Sequence, residues 1–183
     1  MSRQMWDERY RGTEYAYGVE VNDFLRAQAE HIQPGPVLCL AEGEGRNAVF
    51  LALRGHPVSA VDFSAEGLRK AQRLAREHEV QLELIEADLA SFDLGTERWS
   101  GIVSIFAHTP PEIRRRVHAA ILPALRPGGV LVLEAYRPER PPERQTTTSG
   151  AAGSQVRAAP ASVARGTNTA PGMWPSGSLN SAG

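Results

Sequence analysis

Residues 37 to 48, Val-Leu-Cys-Leu-Ala-Glu-Gly-Glu-Gly-Arg-Asn-Ala, have the types and spacing of a nucleotide-type cofactor site. A short apolar run enters a Gly43-x-Gly45 turn and leaves it as an amphipathic helix. The glycines let the backbone turn sharply and approach a ligand closely, and the helix that follows presents unpaired N–H groups at its start. Asp62 closes the next apolar run, Val58 to Val61, about where a carboxylate grips the two hydroxyls of a ribose.

Gly43-x-Gly45-x-x-Ala48 also satisfies the loose dinucleotide fingerprint, so the turn alone leaves open a nicotinamide or flavin enzyme and an S-adenosylmethionine enzyme. A phosphate-binding loop of the Gly-Lys-Ser/Thr kind is absent, since the only lysine, Lys70, falls well inside the following helix. Cys39 sits between Leu38 and Leu40, where a thiol acts as a small hydrophobe rather than a nucleophile. His31, His56, His78, His108 and His118 have no ligand-like spacing, and no metal site is expected. The formal net charge of −1, with both signs interspersed, gives no reason to expect nucleic-acid or anionic-membrane binding. Arg114-Arg115-Arg116 reads as a solvated helix face. Neither an apolar leader core nor a run of membrane-spanning length occurs, so a cytoplasmic location is the default expectation.

The elements that must position this turn follow from periodicity. Val21, Phe24, Leu25, Ala29 and Ile32 recur at helical spacing and stop at Pro34-Gly35-Pro36. A strand at 37–40 feeds a helix ended by Gly55, and Val58 to Val61 make a second strand. Ser64 is the expected N-cap of the next helix, with Leu68, Ala71 and Leu74 on one face, followed by a strand at 82–85. Residues 102–106 read as a fourth strand, and Thr109-Pro110-Pro111-Glu112 as a capping box opening a helix that stops at Arg126-Pro127-Gly128-Gly129. Val130 to Leu133 make the fifth strand. Strands alternating with helices, the strands being continuous apolar runs, predict an α/β fold: a Rossmann-like, doubly wound parallel sheet covered on both faces.

With those elements placed, residues 3 to 136 resemble the class I S-adenosylmethionine-dependent methyltransferases, in particular the small bacterial tellurite-resistance and thiopurine methyltransferase-like group. The resemblance is carried by Val37 to Gly45, by Val61-Asp62-Phe63-Ser64, by Ala87-Asp88-Leu89 and by Leu125-Arg126-Pro127-Gly128-Gly129 with its following strand. A dehydrogenase pattern explains residues 43–62 but makes no demand for Asp88 or for the Pro-Gly-Gly turn.

The resemblance implies S-adenosyl-L-methionine as cofactor and transfer of its methyl group to a small-molecule acceptor: a thiol, a metalloid oxyanion or a heteroaromatic. It places Ala41 to Gly45, with Glu42 and Gly43, beneath the methionine part, Asp62 at the ribose hydroxyls, Phe63 on the adenine and Asp88 at the exocyclic amine with backbone from Leu89, and it counts Arg46, Asn47 and Ser64 among the cofactor-binding residues. Phe106 and His108 would border the transferred methyl, His108 being the candidate base. Trp6 and Tyr10, in a segment spanning 1–19, would fold over the cofactor as a lid. The chain departs from the family pattern with Cys39 and Ala41, where an acidic residue and a glycine are common, and with Glu42 where a small residue is common. Glu42 then stands either as the charge for the cofactor's ammonium or as a turn residue. An NAD(P)-dependent oxidoreductase and a non-catalytic cofactor-binding remnant are the alternatives.

From Pro138 to Gly183 the composition shifts to Pro, Ala, Ser, Thr, Gly and Arg, with Leu179 the one leucine and no Ile or Phe. The globular domain is therefore expected over 1–137, with 138–183 as a low-complexity tail, disordered or read out of frame. The last two strands that the resemblance implies are not expected there, which would leave the fifth strand with an open edge.

Overall fold

Val37–Leu40 is buried at all four positions and forms β1 in the middle of the sheet. A strand with no polar alternation must have apolar layers on both faces, and this one does. The computed structural model describes residues 2–136 and a strand at 162–165. In chain order these are α1 (Arg3–Tyr10), α2 (Asp23–Gln28) with a 3-10 turn at Ala29–His31, β1, α3 (Arg46–Leu53), β2 (Val58–Asp62), α4 (Ala65–Glu77), β3 (Glu83–Glu86), β4 (Trp99–Ile105), α5 (Pro111–Ala124), β5 (Leu125–Glu134) and β6 (Ser162–Arg165).

The sheet runs β3-β2-β1-β4-β5-β6, with the first five strands parallel. This is the doubly wound Rossmann-like α/β arrangement that the strand–helix alternation predicts, and its order reverses between β1 and β4. Val37, Cys39, Val103, Val130 and Val132 face one layer with Leu25, Ala48 and Leu51 from the helices. Leu38, Leu40, Ile102 and Trp99 face the other, against Val117 and Ile121 of α5. Cys39 is fully buried, and that burial raises its thiol pKa, in keeping with a packing role. No helix among the described residues is long and apolar enough to cross a membrane.

Several sequence expectations are corrected. Thr109 does not cap α5: the N-cap is Pro110, with no side-chain cap bond, because the prolines place the first turn one residue later. The helix ends at Ala124 rather than at the Pro-Gly-Gly turn, since Leu125 already pairs with Trp99 across a register irregularity and β5 begins there. The outer edge of β5 is also not open: Val130 to Leu133 pair antiparallel with β6. The rest of the expected tail, within 138–183, lies outside the described residues.

Gly45 shows how closely the site is built onto the core. Its φ is +91°, a region that disfavours side chains, and a Cβ there would lie 2.7 Å from the Cα of Ala71 on α4. Gly45→Ala is expected to destabilise the chain by about 1–3 kcal/mol through strain and overpacking, read as a lower urea midpoint at unchanged slope. A midpoint unchanged from wild type would contradict this packing.

Candidate cofactor and methyl-transfer site

Three of the five residues that follow β1 adopt left-handed backbone: Ala41 (φ 51°), Gly43 (64°) and Gly45 (91°). Ala41 takes this conformation despite its Cβ, so the turn is imposed by its surroundings rather than by glycine content alone. Two bonds impose it. The Glu42 N–H donates to the Val61 carbonyl (3.2 Å), and the Gly43 N–H donates to Asp62 Oδ2 (2.9 Å), so the turn is tied to the end of the neighbouring strand.

Asp62 also accepts from the Ser64 N–H through Oδ1 (2.8 Å), and burial raises its carboxyl pKa. Asp62 lines the cavity, where a carboxylate can accept further hydrogen bonds from a ligand. Glu42 has a second job that the sequence does not disclose. Its Oε1 accepts from the Asn47 and Ala48 N–H groups (2.9 and 2.8 Å), capping α3 from the preceding turn. Those two N–H groups, expected to be open to a ligand, are therefore taken by the chain itself. Burial pushes the Glu42 carboxyl up to about 7, ahead of the opposing effect of those two bonds.

The N-terminal segment is fastened over this turn. The Lys70 ammonium on α4 donates to Glu44 Oε1 (2.7 Å) and to the Glu14 carbonyl (2.6 Å), and Glu44 Oε2 accepts from the Ala16 N–H (2.8 Å). Both charged side chains are buried, at 9% and 4% exposure. Arg73 adds a bond to the Thr13 carbonyl (3.3 Å), and its guanidinium lies over the Tyr15 ring. With residues 13–16 held in this way, α1 lies against α4, where Asp7 accepts from the Ser64 hydroxyl.

The result is a cavity of about 300 Å³ at the carboxyl ends of the strands. It brings together twelve of the residues singled out in the sequence: Trp6, Tyr10, Ala41, Glu42, Arg46, Asn47, Asp62, Phe63, Asp88, Leu89, Phe106 and His108. Three others are not on its wall. Ser64 is fully buried and spends its hydroxyl on the Gly67 N–H and Asp7, Gly45 opens α3 against Ala71, and Gly43 lies beneath the ring of Tyr10. Asp88 is exposed at the rim, where Oδ1 accepts from the Ala90 N–H (2.8 Å) and the second oxygen is left for a ligand.

One end of the cavity is an aromatic wall. Trp6 stacks on Tyr10 (centroids 5.5 Å apart) and on His108 (6.0 Å), His108 on Tyr136 (5.5 Å), and Tyr136 meets Phe106 (4.7 Å). Phe106 is turned to this wall by a left-handed backbone (φ 50°) and a bond from its N–H to the Glu134 carbonyl (2.8 Å). Tyr136, Ile105 and Ile113 join the lining without any motif to mark them, and Thr109 and Pro110 join it although their motif points only to a helix start. The signal that finds them is position: each lies at or beyond the carboxyl end of β4 or β5, or at the start of α5.

This sheet order, closed by an antiparallel sixth strand and with a turn of this kind after β1, is that of the class I S-adenosylmethionine-dependent methyltransferase fold. Residues 37–129, just over half of the chain, match the family model described as a methyltransferase domain, and the chain belongs to that family. No curated protein matches the chain. Among solved structures it is similar to the PH0226 protein of Pyrococcus horikoshii OT3, with 27% identity, TM-score 0.53, and 60% of this chain covering 50% of that one. A S-adenosylmethionine-dependent methyltransferase from Methanosarcina mazei shares the fold at 20% identity and TM-score 0.52, over 61% of this chain and 56% of that one. Phosphoethanolamine N-methyltransferase 1 of Haemonchus contortus, solved with phosphoethanolamine and S-adenosylhomocysteine, shares it at 15% identity and TM-score 0.62, over 73% and 31%. The chain thus spans about half the length of the first of these relatives.

The chemistry of the cavity fits S-adenosylmethionine. It offers carboxylates for hydroxyl and amine donors, a carboxylate for a cation, and aromatic faces for a sulfonium. Glu42 also leaves a signature without any ligand. Between the ordinary carboxyl value of 4.5 and about 7 the folded chain keeps a proton that the unfolded chain has lost. Glu42 therefore makes stability fall as pH rises through that window. Glu42→Gln is expected to flatten this part of the stability–pH profile, measured by urea unfolding on both sides of the window. An unchanged slope would contradict the assigned environment.

Proposed function

We propose that this chain binds S-adenosylmethionine in the cavity over β1 and β2 and methylates a small-molecule acceptor that enters beside His108, as in the tellurite-resistance and thiopurine methyltransferase-like group. The observation that carries the reading is the Gly43–Asp62 unit: the turn and the acidic strand end are bonded to each other and face one cavity. The match of residues 37–129 to the methyltransferase domain supports it.

In this reading Asp62 accepts from the ribose hydroxyls, Phe63 packs on the adenine, and Asp88 takes the exocyclic amine. Glu42, whose ionised form an approaching cation favours, faces the ammonium, while Trp6 and Tyr10 cover the sulfonium side and exclude water. S-adenosylmethionine supplies an electrophilic methyl carbon: the acceptor's lone pair forms the new bond to it, and the electrons of the breaking carbon–sulfur bond return to sulfur. The protein's task in such an in-line displacement is alignment and exclusion of water. Phe106 and His108 wall the approach, and the His108 imidazole is placed to take a proton from an acceptor that carries one. Soft or anionic acceptors need no such base.

The test is calorimetric titration of the full chain with S-adenosylmethionine, S-adenosylhomocysteine and NAD. Saturable binding of the first two is expected, and Asp62→Ala should weaken it by at least about tenfold, the equivalent of one lost charge-assisted hydrogen bond. Binding of NAD alone would overturn the reading in favour of a nicotinamide-dependent oxidoreductase. Binding of S-adenosylmethionine with no turnover across an acceptor panel would leave a cofactor-binding remnant.

A further inference from the structure

A second cavity of about 300 Å³ lies under α5 and meets the first at Phe106, His108, Thr109 and Pro110. We propose that it is the acceptor site, and that it selects a small acceptor bearing an anionic group, a carboxylate or a phosphate, at the end remote from the methylated atom. The assignment rests on the methyltransferase reading above and adds the acceptor's chemical class to it.

Its position is the crevice between the carboxyl ends of β1 and β4, where the strand order reverses and open α/β sheets take their ligands. Its floor breaks an apolar pattern. Along the α5-facing side of β4, Ile102 is fully buried core, whereas the next residue on that side is Ser104, set between its register partners Leu40 and Leu133. Ser104 is only 7% exposed and lines the cavity. A hydrophobe would fill this place, so a small hydroxyl opens the space and puts a polar group on the floor of an otherwise apolar cavity.

The roof is basic. Arg114 and His118 sit one turn apart on α5 and line the same cavity. Among the described residues Arg114 makes no ion pair, unlike Arg116, whose guanidinium is occupied by the Leu89 and Phe92 carbonyls. Burial first, then the Arg114 charge, lowers the His118 imidazole below its ordinary value, which leaves it neutral at pH 7 as a hydrogen-bonding group. Glu134 is the one acidic residue on the wall, and its carboxylate is turned away to Asn22 Nδ2 (2.8 Å). An unpaired guanidinium, a neutral imidazole and a buried hydroxyl around an apolar floor suit oxyanion oxygens on a small apolar body.

The experiment titrates the full chain, saturated with S-adenosylhomocysteine, with benzoate, phenyl phosphate and the neutral benzamide, following heat of binding. The expected result is that at least one anion binds about tenfold or more tightly than benzamide, the better of the two naming the carboxylate or the phosphate as the group recognised. Arg114→Met, an exposed change, should erase that margin, and Ser104→Leu should abolish binding of both anions while S-adenosylhomocysteine still binds. The proposal is overturned if neither anion binds, if benzamide binds equally well, or if the margin survives Arg114→Met. Failure of the wild-type chain to bind S-adenosylhomocysteine overturns the methyltransferase reading itself, and the acceptor assignment with it.

Discussion

One buried ion pair holds the two halves of the cofactor cavity together. Lys70, the only lysine in the chain, meets Glu44 with both charges withdrawn from water. Such a pair is a poor source of net stability, because desolvation offsets most of the attraction, but it is severe about geometry: either charge left alone in that place is costly. The geometry it enforces is specific. Glu44 stands between the two glycines of the turn, Lys70 belongs to α4, and the remaining partners are the Glu14 carbonyl and the Ala16 N–H. The pair thus fixes three separated segments at one point, and the aromatic residues of α1 become a wall of the cavity rather than an exposed helix face.

The same logic governs the turn. Ala41 has a left-handed backbone where glycine would be at ease, and Glu42 spends a carboxylate oxygen on the first free N–H groups of α3. Cys39 in β1 is buried, and the nearest carboxylate, Glu42, lies three residues on at the cavity wall. Burial brings that charge to the edge of neutrality at physiological pH. A cation arriving there restores the ionised form, so ligand charge and protonation are coupled at this residue.

The sequence discloses the parts of the fold that depend on local pattern. β1 and β2 are uninterrupted apolar runs, α4 has a Ser64 cap with its apolar face at helical spacing, and all are found within a residue or so of the expected bounds. Asp62 and the glycines are legible because their spacing from a strand end is a steric and electrostatic requirement. What is not legible depends on pairing over long distances. Lys70 looks like an ordinary helix residue until Glu44, 26 residues earlier, is seen beside it. Tyr136 joins the cavity only because β5 ends beside β4, and Ser104 becomes a cavity floor only because Leu40 and Leu133 flank it in register. Thr109 carries a good capping signature that fails because two prolines set the helix start. The partner of β5 is read from pairing and not from composition, since Ser162–Arg165 contains little that marks a strand.

The most direct test of the Lys70–Glu44 constraint is hydrogen exchange of the ligand-free chain, comparing wild type with the paired variant Lys70→Met/Glu44→Gln, which removes both charges together. Amides of residues 3–18 are expected to lose protection in the variant while those of β1, β2 and β4 keep theirs. Unchanged protection across residues 3–18 would show that the segment is held in place by something else, and would contradict the account.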